Sequence, residues 1–259
     1  MKRIVFGITS LTLGGAERVL VDIANRLKDD YDITIFTIYG KGIFEYELDK
    51  KIKLISLYNF SYNELSKSNK KIIPIKVLNC GKSIYKKYIE GKYDIQVSFL
   101  EGPITRIFQY GENVKKIAWI HTDYSTISVN ANKELPVWGA FDKIFAVSKR
   151  VKETFEKAFP TLGNKIDVME NILSPESIHK QAAMFDATEE MPTIDGELRF
   201  CSVGRFTEAK NFDNVPFICK MLTEKGLQFK WYIIGYGGDE LLIRENIQKA
   251  GVEDICILL

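Results

Sequence analysis

The sequence predicts an α/β protein with two Rossmann-like domains, the second of them incomplete. Short apolar runs alternate with longer amphipathic segments, a pattern typical of β-α-β units and a parallel sheet. The alternation stops over residues 173–196, a stretch with two prolines and many acids, and then begins again. A chain of 259 residues is also long enough for two ordinary domains.

The first predicted domain covers residues 1–172. Its apolar runs, rich in Val, Ile and Phe, predict strands at residues 3–8, 32–38, 51–57, 94–99, 115–121, 143–148 and 166–169. Apolar side chains at helical spacing predict helices at residues 16–27, at about 75–90 and at 149–158. Each strand is followed by a polar turn, so we expect parallel strands joined by crossover helices.

Residues 173–196 are predicted to be a linker that contains one short helix, and residues 197–259 a partial second domain. Its predicted strands lie at 198–203, 229–234 and 254–259, and its predicted helices at 212–225 and 240–250. A doubly wound domain usually has five or six strands, so three strands indicate that this domain is cut short.

Charge is unevenly distributed along a chain whose net charge is only +2. Residues 41–92 hold twelve lysines against five acids, with tyrosines and phenylalanines interleaved. One interpretation is a peripheral contact with an anionic membrane surface. The other is a solvated lysine face whose aromatic side chains enter the core. No nucleic-acid partner is expected.

The cysteine pattern and the length of the apolar runs indicate where in the cell the protein is expected. The four cysteines have no metal-binding or redox spacing, so we expect reduced core residues in a cytoplasmic protein. No run approaches the roughly 20 apolar residues of a membrane span, so any membrane contact would be peripheral, on the inner face. The only histidines are His121 and His179, which disfavours a histidine metal site.

Two glycine clusters follow predicted strands. In "TLGGAERVL", Gly14 and Gly15 precede a helix, where bare backbone N–H groups and the helix dipole favour a phosphate. The alternative is a tight turn without a ligand. The second cluster, "IIGYGGDE" at residues 233–240, has the same placement, and its Asp239 and Glu240 suit the start of a helix by capping.

Cations and one histidine also follow predicted strands. In "VGRFTEAKNF", Arg205 and Lys210 lie just after a strand, where two fixed cations could stabilise a departing diphosphate without a metal. The alternative is two solvated surface cations. His121 ends the run "KKIAWIH" and could hydrogen-bond a sugar hydroxyl, or it could pack against Trp119 or pair with Asp123.

Taken together, the motifs resemble those of family 4 glycosyltransferases, which are retaining enzymes with the GT-B fold of two Rossmann-like domains facing a cleft. They occur in the family's order over essentially the whole chain. The matching segments are "LGGAERV", "WIHTD", "AVSKRVKE" at 146–153, "ENILSPE" at 170–176, "VGRFTEAKNF" and "IIGYGGDE".

The resemblance implies a role for each matching residue. His121 would contact the transferred sugar, and Arg205 and Lys210 would bind the diphosphate. The donor and its phosphates would be bound by the glycines Gly14, Gly15, Gly204, Gly235 and Gly238. The cleft would be lined by Glu17, Ser148 and Asn171. No metal or other cofactor is implied.

The sequence departs from the family's pattern at its carboxyl end. The family has two glutamates, eight positions apart, late in the second domain, and a final helix that returns to the first. Neither is found here, so we expect the chain to be a fragment of a longer enzyme.

The predicted function is therefore transfer of a hexose from a nucleotide sugar, a UDP-sugar, to a glycan acceptor with retention, in bacterial surface polysaccharide synthesis. The acceptor would be an oligosaccharide or a lipid-linked glycan. One alternative is a non-catalytic, truncated chain that binds acceptor, nucleotide or membrane. Another is a different GT-B enzyme, such as an epimerase or a phosphorylase.

Overall fold

The computed structural model describes residues 1–128, 130–192 and 194–259. The chain divides into two compact units, Met1–Ser174 and Pro175–Leu259. The division falls inside residues 173–196, the segment predicted to be a linker.

The first unit is built on a parallel sheet of seven strands in the order β3-β2-β1-β4-β5-β6-β7. The strands are β1 Arg3–Ile8, β2 Asp32–Tyr39, β3 Lys53–Tyr58, β4 Ile95–Ser98, β5 Lys115–Ile120, β6 Lys143–Ala146 and β7 Ile166–Val168. The central strands are continuous apolar runs because both faces of the sheet are covered. Along β1, Val5 enters one buried cluster, whereas Ile4 and Phe6 enter the other.

The helices of the first unit are α1 Gly15–Leu27, α2 Lys67–Tyr88, α3 Pro103–Phe108, α4 Ala131–Gly139 and α5 Lys149–Ala158. The prediction for α2 was wrong at its start, because the helix begins at Lys67 and runs through Pro74. Ser66 caps it by accepting a hydrogen bond from the Asn69 N–H at 3.3 Å. The short helices α3 and α4 were not predicted.

The second unit contains three parallel strands in the order β10-β9-β8, with β8 Leu198–Val203, β9 Phe229–Ile234 and β10 Cys256–Leu258. Its helices are α6 Pro175–Ala182, α7 Val215–Glu224 and α8 Glu240–Ala250. Helix α7 begins later than predicted because two short 3₁₀ turns, Glu208–Lys210 and Phe212–Asn214, precede it.

The prediction that the cysteines lie in the core is right for only two of the four. Cys219 on α7 and Cys256 on β10 are buried, whereas Cys80 and Cys201 are exposed. Cys80 lies on the outer side of α2, and Cys201 lies on β8, which is an edge strand of the sheet. An apolar neighbourhood in the sequence therefore did not ensure burial at these two positions.

Candidate functional site

Several candidate site residues of the first unit lie in loops at the carboxyl edge of its sheet. The strand order reverses at β1, because β2 pairs with one of its edges and β4 with the other. Open α/β sheets bind ligands outside the carboxyl ends of the strands at such a switch point. The loops that follow β1, β4 and β5 all lie at this edge, and they contain Gly14, Glu101 and His121.

Gly14 is the N-cap residue of α1 and, as a glycine, has no side chain that could cap the helix. A Cβ atom at Gly14 would overlap Oε2 of Glu17, so the Glu17 carboxylate lies directly over this glycine. A carboxylate in the first turn is attracted by the positive end of the helix dipole. The Glu17 carboxylate therefore lies at the helix terminus where the sequence predicts a phosphate. At Gly15, a Cβ atom would meet no atom of the described residues within 4 Å.

His121 follows β5 directly, and its imidazole is fixed by two contacts with Phe99. Its Nε2 lies 3.1 Å from the Phe99 carbonyl oxygen, and the two ring centroids are 5.4 Å apart. A carbonyl oxygen can only accept, so Nε2 carries the proton and Nδ1 keeps its lone pair. Burial lowers the pKa of His121, against the raising effects of the Glu101 charge and the Phe99 hydrogen bond. The ring is therefore neutral at pH 7 and can accept a hydrogen bond at Nδ1.

Glu101 holds the backbone at His121 and was not identified from the sequence. Its Oε1 accepts hydrogen bonds from the N–H groups of His121 at 2.6 Å and Thr122 at 2.7 Å. Its Oε2 is buried and has no hydrogen-bond partner among the described residues. In the sequence, the only indication of this role is that Glu101 is an acid three residues after β4. It precedes Gly102, which has a φ of +101° and is the N-cap residue of α3.

The alternative contacts proposed for His121 are not those observed. Its ring packs against Phe99 rather than Trp119. Asp123 instead accepts a hydrogen bond from Arg150 Nε at 3.0 Å. Hydrogen bonds from Ser125, together with Arg150, hold the pKa of Asp123 well below its usual range. The ion pair between Asp123 and Arg150 therefore stabilises the loop after β5.

The predicted cleft residues Ser148 and Asn171 have different surroundings. Ser148 is the N-cap of α5, and its Oγ accepts a hydrogen bond from the Val151 N–H at 3.2 Å. That cap gives Ser148 a structural role whether or not it contacts a ligand. Asn171 is exposed in the segment after β7.

In the second unit, the loops after β8 and β9 lie side by side at the carboxyl edge. The Phe206 N–H donates to the Tyr236 carbonyl oxygen at 2.9 Å, and the Asp239 N–H donates to Phe206 O at 3.2 Å. A Cβ atom at Gly235 would overlap the carbonyl oxygen of Gly204. Only glycine allows this close approach, so the two loops form one surface. Gly238 lies in the second loop, and a Cβ atom there would meet none of the described atoms within 4 Å.

Arg205 and Lys210 are both exposed on the first of these loops. Neither forms an ion pair with any residue that the structure describes, so their charges are available to a ligand. A Cβ atom at Gly204 would lie 3.6 Å from Lys210 Cδ, which shows that the lysine stem runs back over the loop. Asp239 occupies the N-cap position of α8 but forms no capping hydrogen bond, contrary to prediction.

The chain is similar to known glycosyltransferases in sequence and in fold, as the relatives and solved structures below show. No family model matches the chain. An uncharacterized glycosyltransferase of Haemophilus influenzae is 27% identical over 98% of this chain and 67% of its own length. The crystal structure of a mutant of Staphylococcus aureus TarM, solved with UDP, fondaparinux and α-GlcNAc-glycerol, covers 100% of this chain and 77% of its own, with a TM-score of 0.68 and 13% identity.

The chain has the GT-B fold. A second relative is 31% identical to this chain. The match covers 39% of this chain and 26% of the relative's own length. It is a Campylobacter jejuni α-1,4-N-acetyl-D-galactosaminyltransferase whose name gives an undecaprenol diphosphate glycan as its acceptor. The names of the relatives and the shared fold support glycosyltransferase activity. The GT-B chain spans about two thirds of the length of the Haemophilus relative.

A cavity of about 370 Å³ in the first unit is lined almost entirely by apolar side chains, including Ile4, Phe6 and Trp119. It lacks the cluster of cations and N–H donors that a diphosphate requires. None of the described helices has both the length and the apolar composition of a membrane span.

Proposed function

We propose that the protein is a retaining, family 4-like glycosyltransferase that transfers a hexose from a UDP-sugar to a glycan acceptor. The observation that carries the proposal is the paired loop surface of the second unit, with Arg205 and Lys210 exposed and unpaired among the described residues. Two fixed cations stabilise the negative charge that develops on a departing nucleoside diphosphate. The motif resemblance supports the same assignment.

The proposed reaction is a front-side displacement at the anomeric carbon. The bond to the diphosphate breaks, the acceptor oxygen bonds to the same face of the sugar, and the leaving diphosphate takes the acceptor proton. No enzyme carboxylate serves as a nucleophile. Because no metal is invoked, Arg205 and Lys210 provide the countercharge for the leaving group.

In the first unit, the proposed ligand is the sugar hydroxyl nearest to His121. The neutral imidazole offers Nδ1 as an acceptor, since Nε2 donates to Phe99. The Glu101 contacts hold the backbone from which this ring projects. A fixed acceptor orients the sugar without loss of side-chain entropy at the moment of binding.

Binding of UDP compared with UMP tests the proposed function. If two cations bind the diphosphate, the chain should bind UDP at least about tenfold more tightly than UMP, because each charge-assisted contact contributes roughly 1.5–3 kcal/mol. Isothermal titration calorimetry on the folded chain measures both constants. Equal affinities, or no binding of either nucleotide, would contradict the proposal.

Product analysis distinguishes the remaining alternatives. UDP-glucose and UDP-N-acetylglucosamine are incubated with an oligosaccharide acceptor, and UDP release and the anomeric configuration of the product are followed by NMR. Release of UDP with a retained anomeric centre supports the transferase. Tight UDP binding without turnover supports the non-catalytic alternative, and an inverted product rejects retention.

We further propose that the protein works on the cytoplasmic face of a membrane, on a lipid-linked or surface-polysaccharide acceptor. Helix α2 contains seven lysines and no acid. Its outer face exposes Ile72, Ile75 and Leu78 by 57%, 58% and 44%. Four of the interleaved aromatic residues, Tyr58, Phe60, Tyr85 and Tyr88, pack into the core, whereas Tyr62 is exposed. Lysines around exposed aliphatic side chains suit an anionic lipid surface.

Vesicle co-sedimentation tests this surface. Binding to vesicles containing phosphatidylglycerol should exceed binding to pure phosphatidylcholine, since each lysine near an anionic surface contributes about 1 kcal/mol. Lys71→Glu with Lys76→Glu should reduce it at least about tenfold. Lys220→Glu with Lys230→Glu, in the second unit, is the matched control. Equal losses for both pairs would reject α2 as the docking surface.

A further inference from the structure

A separate cavity of about 500 Å³ lies at the amino edge of the first unit's sheet. It is bordered by the carboxyl-terminal part of α2, by the amino ends of β4 and β5, and by the loop at residues 110–114. Parallel strands place their carboxyl ends at the opposite edge, so this cavity is distinct from the site at Gly14 and His121. Its volume is within the range of small-molecule binding sites.

The buried polar group of this cavity is Gln96 on β4, which is only 1% exposed. Its Nε2 donates to the Tyr85 hydroxyl at 3.1 Å. Its Oε1 is buried and has no hydrogen-bond partner within the described parts of the chain. An unpaired buried amide oxygen is costly, so a ligand that donates to it would gain free energy.

Tyr85 supplies the complementary group, because its hydroxyl contacts the nitrogen of the same side-chain amide. Its hydroxyl accepts from Gln96 and keeps its own O–H to donate. Burial raises the pKa of Tyr85, so the group stays protonated. The loop closes on this hydroxyl at Gly111, where φ is +111° and a Cβ atom would overlap Tyr85 Oη. A donor and an acceptor next to each other match a hydroxyl group, which both accepts and donates.

The lining also indicates a neutral ligand. Lys82 and Lys86 are balanced by Glu90 and Glu112, so the charged side chains around the cavity sum to zero. The half-buried rings of Tyr93 and Tyr110 provide apolar surfaces on which the C–H face of a sugar ring can pack.

We propose that this cavity is a second, non-catalytic binding site for a neutral saccharide unit, with one sugar hydroxyl between Gln96 Oε1 and the Tyr85 O–H. Binding here does not depend on the proposed transferase reaction. For an enzyme that acts on glycans, such a site would hold a part of the glycan that does not react.

The test is a titration of the ¹⁵N-labelled chain with methyl α-D-glucopyranoside and with N-acetyl-D-glucosamine, followed by NMR. The expected result is a saturable shift of the Gln96 side-chain amide and the Gly111 backbone amide. Gln96→Leu, which keeps the volume but removes the amide, should weaken binding about fivefold to tenfold. Gln228→Leu, an exposed position in the second unit, is the matched control.

A second variant protects the test against a folding defect in Gln96→Leu. Lys86→Trp changes an exposed position of α2 and places an indole at the rim of the cavity, so it should also reduce saccharide binding. The proposal is overturned if both sugars leave Gln96 and Gly111 unshifted, or if they shift only Gly14 and His121. It is also overturned if inorganic phosphate shifts the cavity amides and the sugars do not.

Discussion

Replacing Arg205 or Lys210 by alanine is expected to reduce transfer from a UDP-sugar by about 100-fold, the usual cost of removing one preorganised group that stabilises developing charge. Both side chains are exposed and unpaired within the described ranges, so their charges are not used by the fold. The free energy of unfolding should therefore change by no more than about 0.5 kcal/mol. UDP affinity should fall about tenfold for each variant.

The control is Lys220→Ala, which removes the same charge from an exposed position on α7. Calorimetric UDP affinity, kcat and chemical denaturation are measured for the three alanine variants and for Arg205→Lys. Arg205→Lys should recover only part of the activity, because an ammonium lacks the planar fork that binds two phosphate oxygens. If the Lys220 variant loses as much UDP affinity as the others, a general charge effect explains the data and the diphosphate role is wrong.

Most of the first unit's strands could be predicted because they are largely buried and therefore consist of apolar runs, whereas β8 has an apolar sequence although it is an exposed edge strand. The bounds of β1, β8, β9, α5 and α8 agree with the prediction. The failures occur where tertiary contacts override local signals. In α3, all but two of six residues are buried, and α2 continues through Pro74, a residue type that usually ends or kinks a helix.

The position of a candidate site residue could be predicted only where a charged residue or histidine follows a predicted strand. His121 directly follows β5 and Arg205 lies two residues after β8, as their apolar runs predict, whereas Lys210 ends a 3₁₀ turn further along the same loop. The contact between Glu17 and Gly14 could not be predicted, because it depends on the conformation of the Glu17 side chain at the start of α1. Glu101 acts on backbone N–H groups twenty residues away, and no spacing rule in a single sequence reveals such a partner.

Replacing Glu101 by leucine should damage both stability and the proposed reaction, because it removes the acceptor of two backbone hydrogen bonds. Leaving the N–H groups of His121 and Thr122 without a partner is expected to lower the free energy of unfolding by about 2 kcal/mol. A displaced His121 ring should lower kcat by about 100-fold, with a smaller effect on KM. Chemical denaturation and steady-state kinetics measure these changes.

Glu101→Gln separates the hold on the backbone from the charge. Its side-chain oxygen can still accept from His121 N and Thr122 N, so stability and kcat should stay close to those of the unmodified chain. The negative charge of Glu101 raises the pKa of His121, so both variants should lower that pKa further, and NMR titration of the imidazole should show a midpoint shifted to lower pH in each. If the glutamine variant is as unstable and inactive as the leucine variant, the charge matters more than the acceptor. If neither variant changes stability or the His121 midpoint, Glu101 does not position the loop.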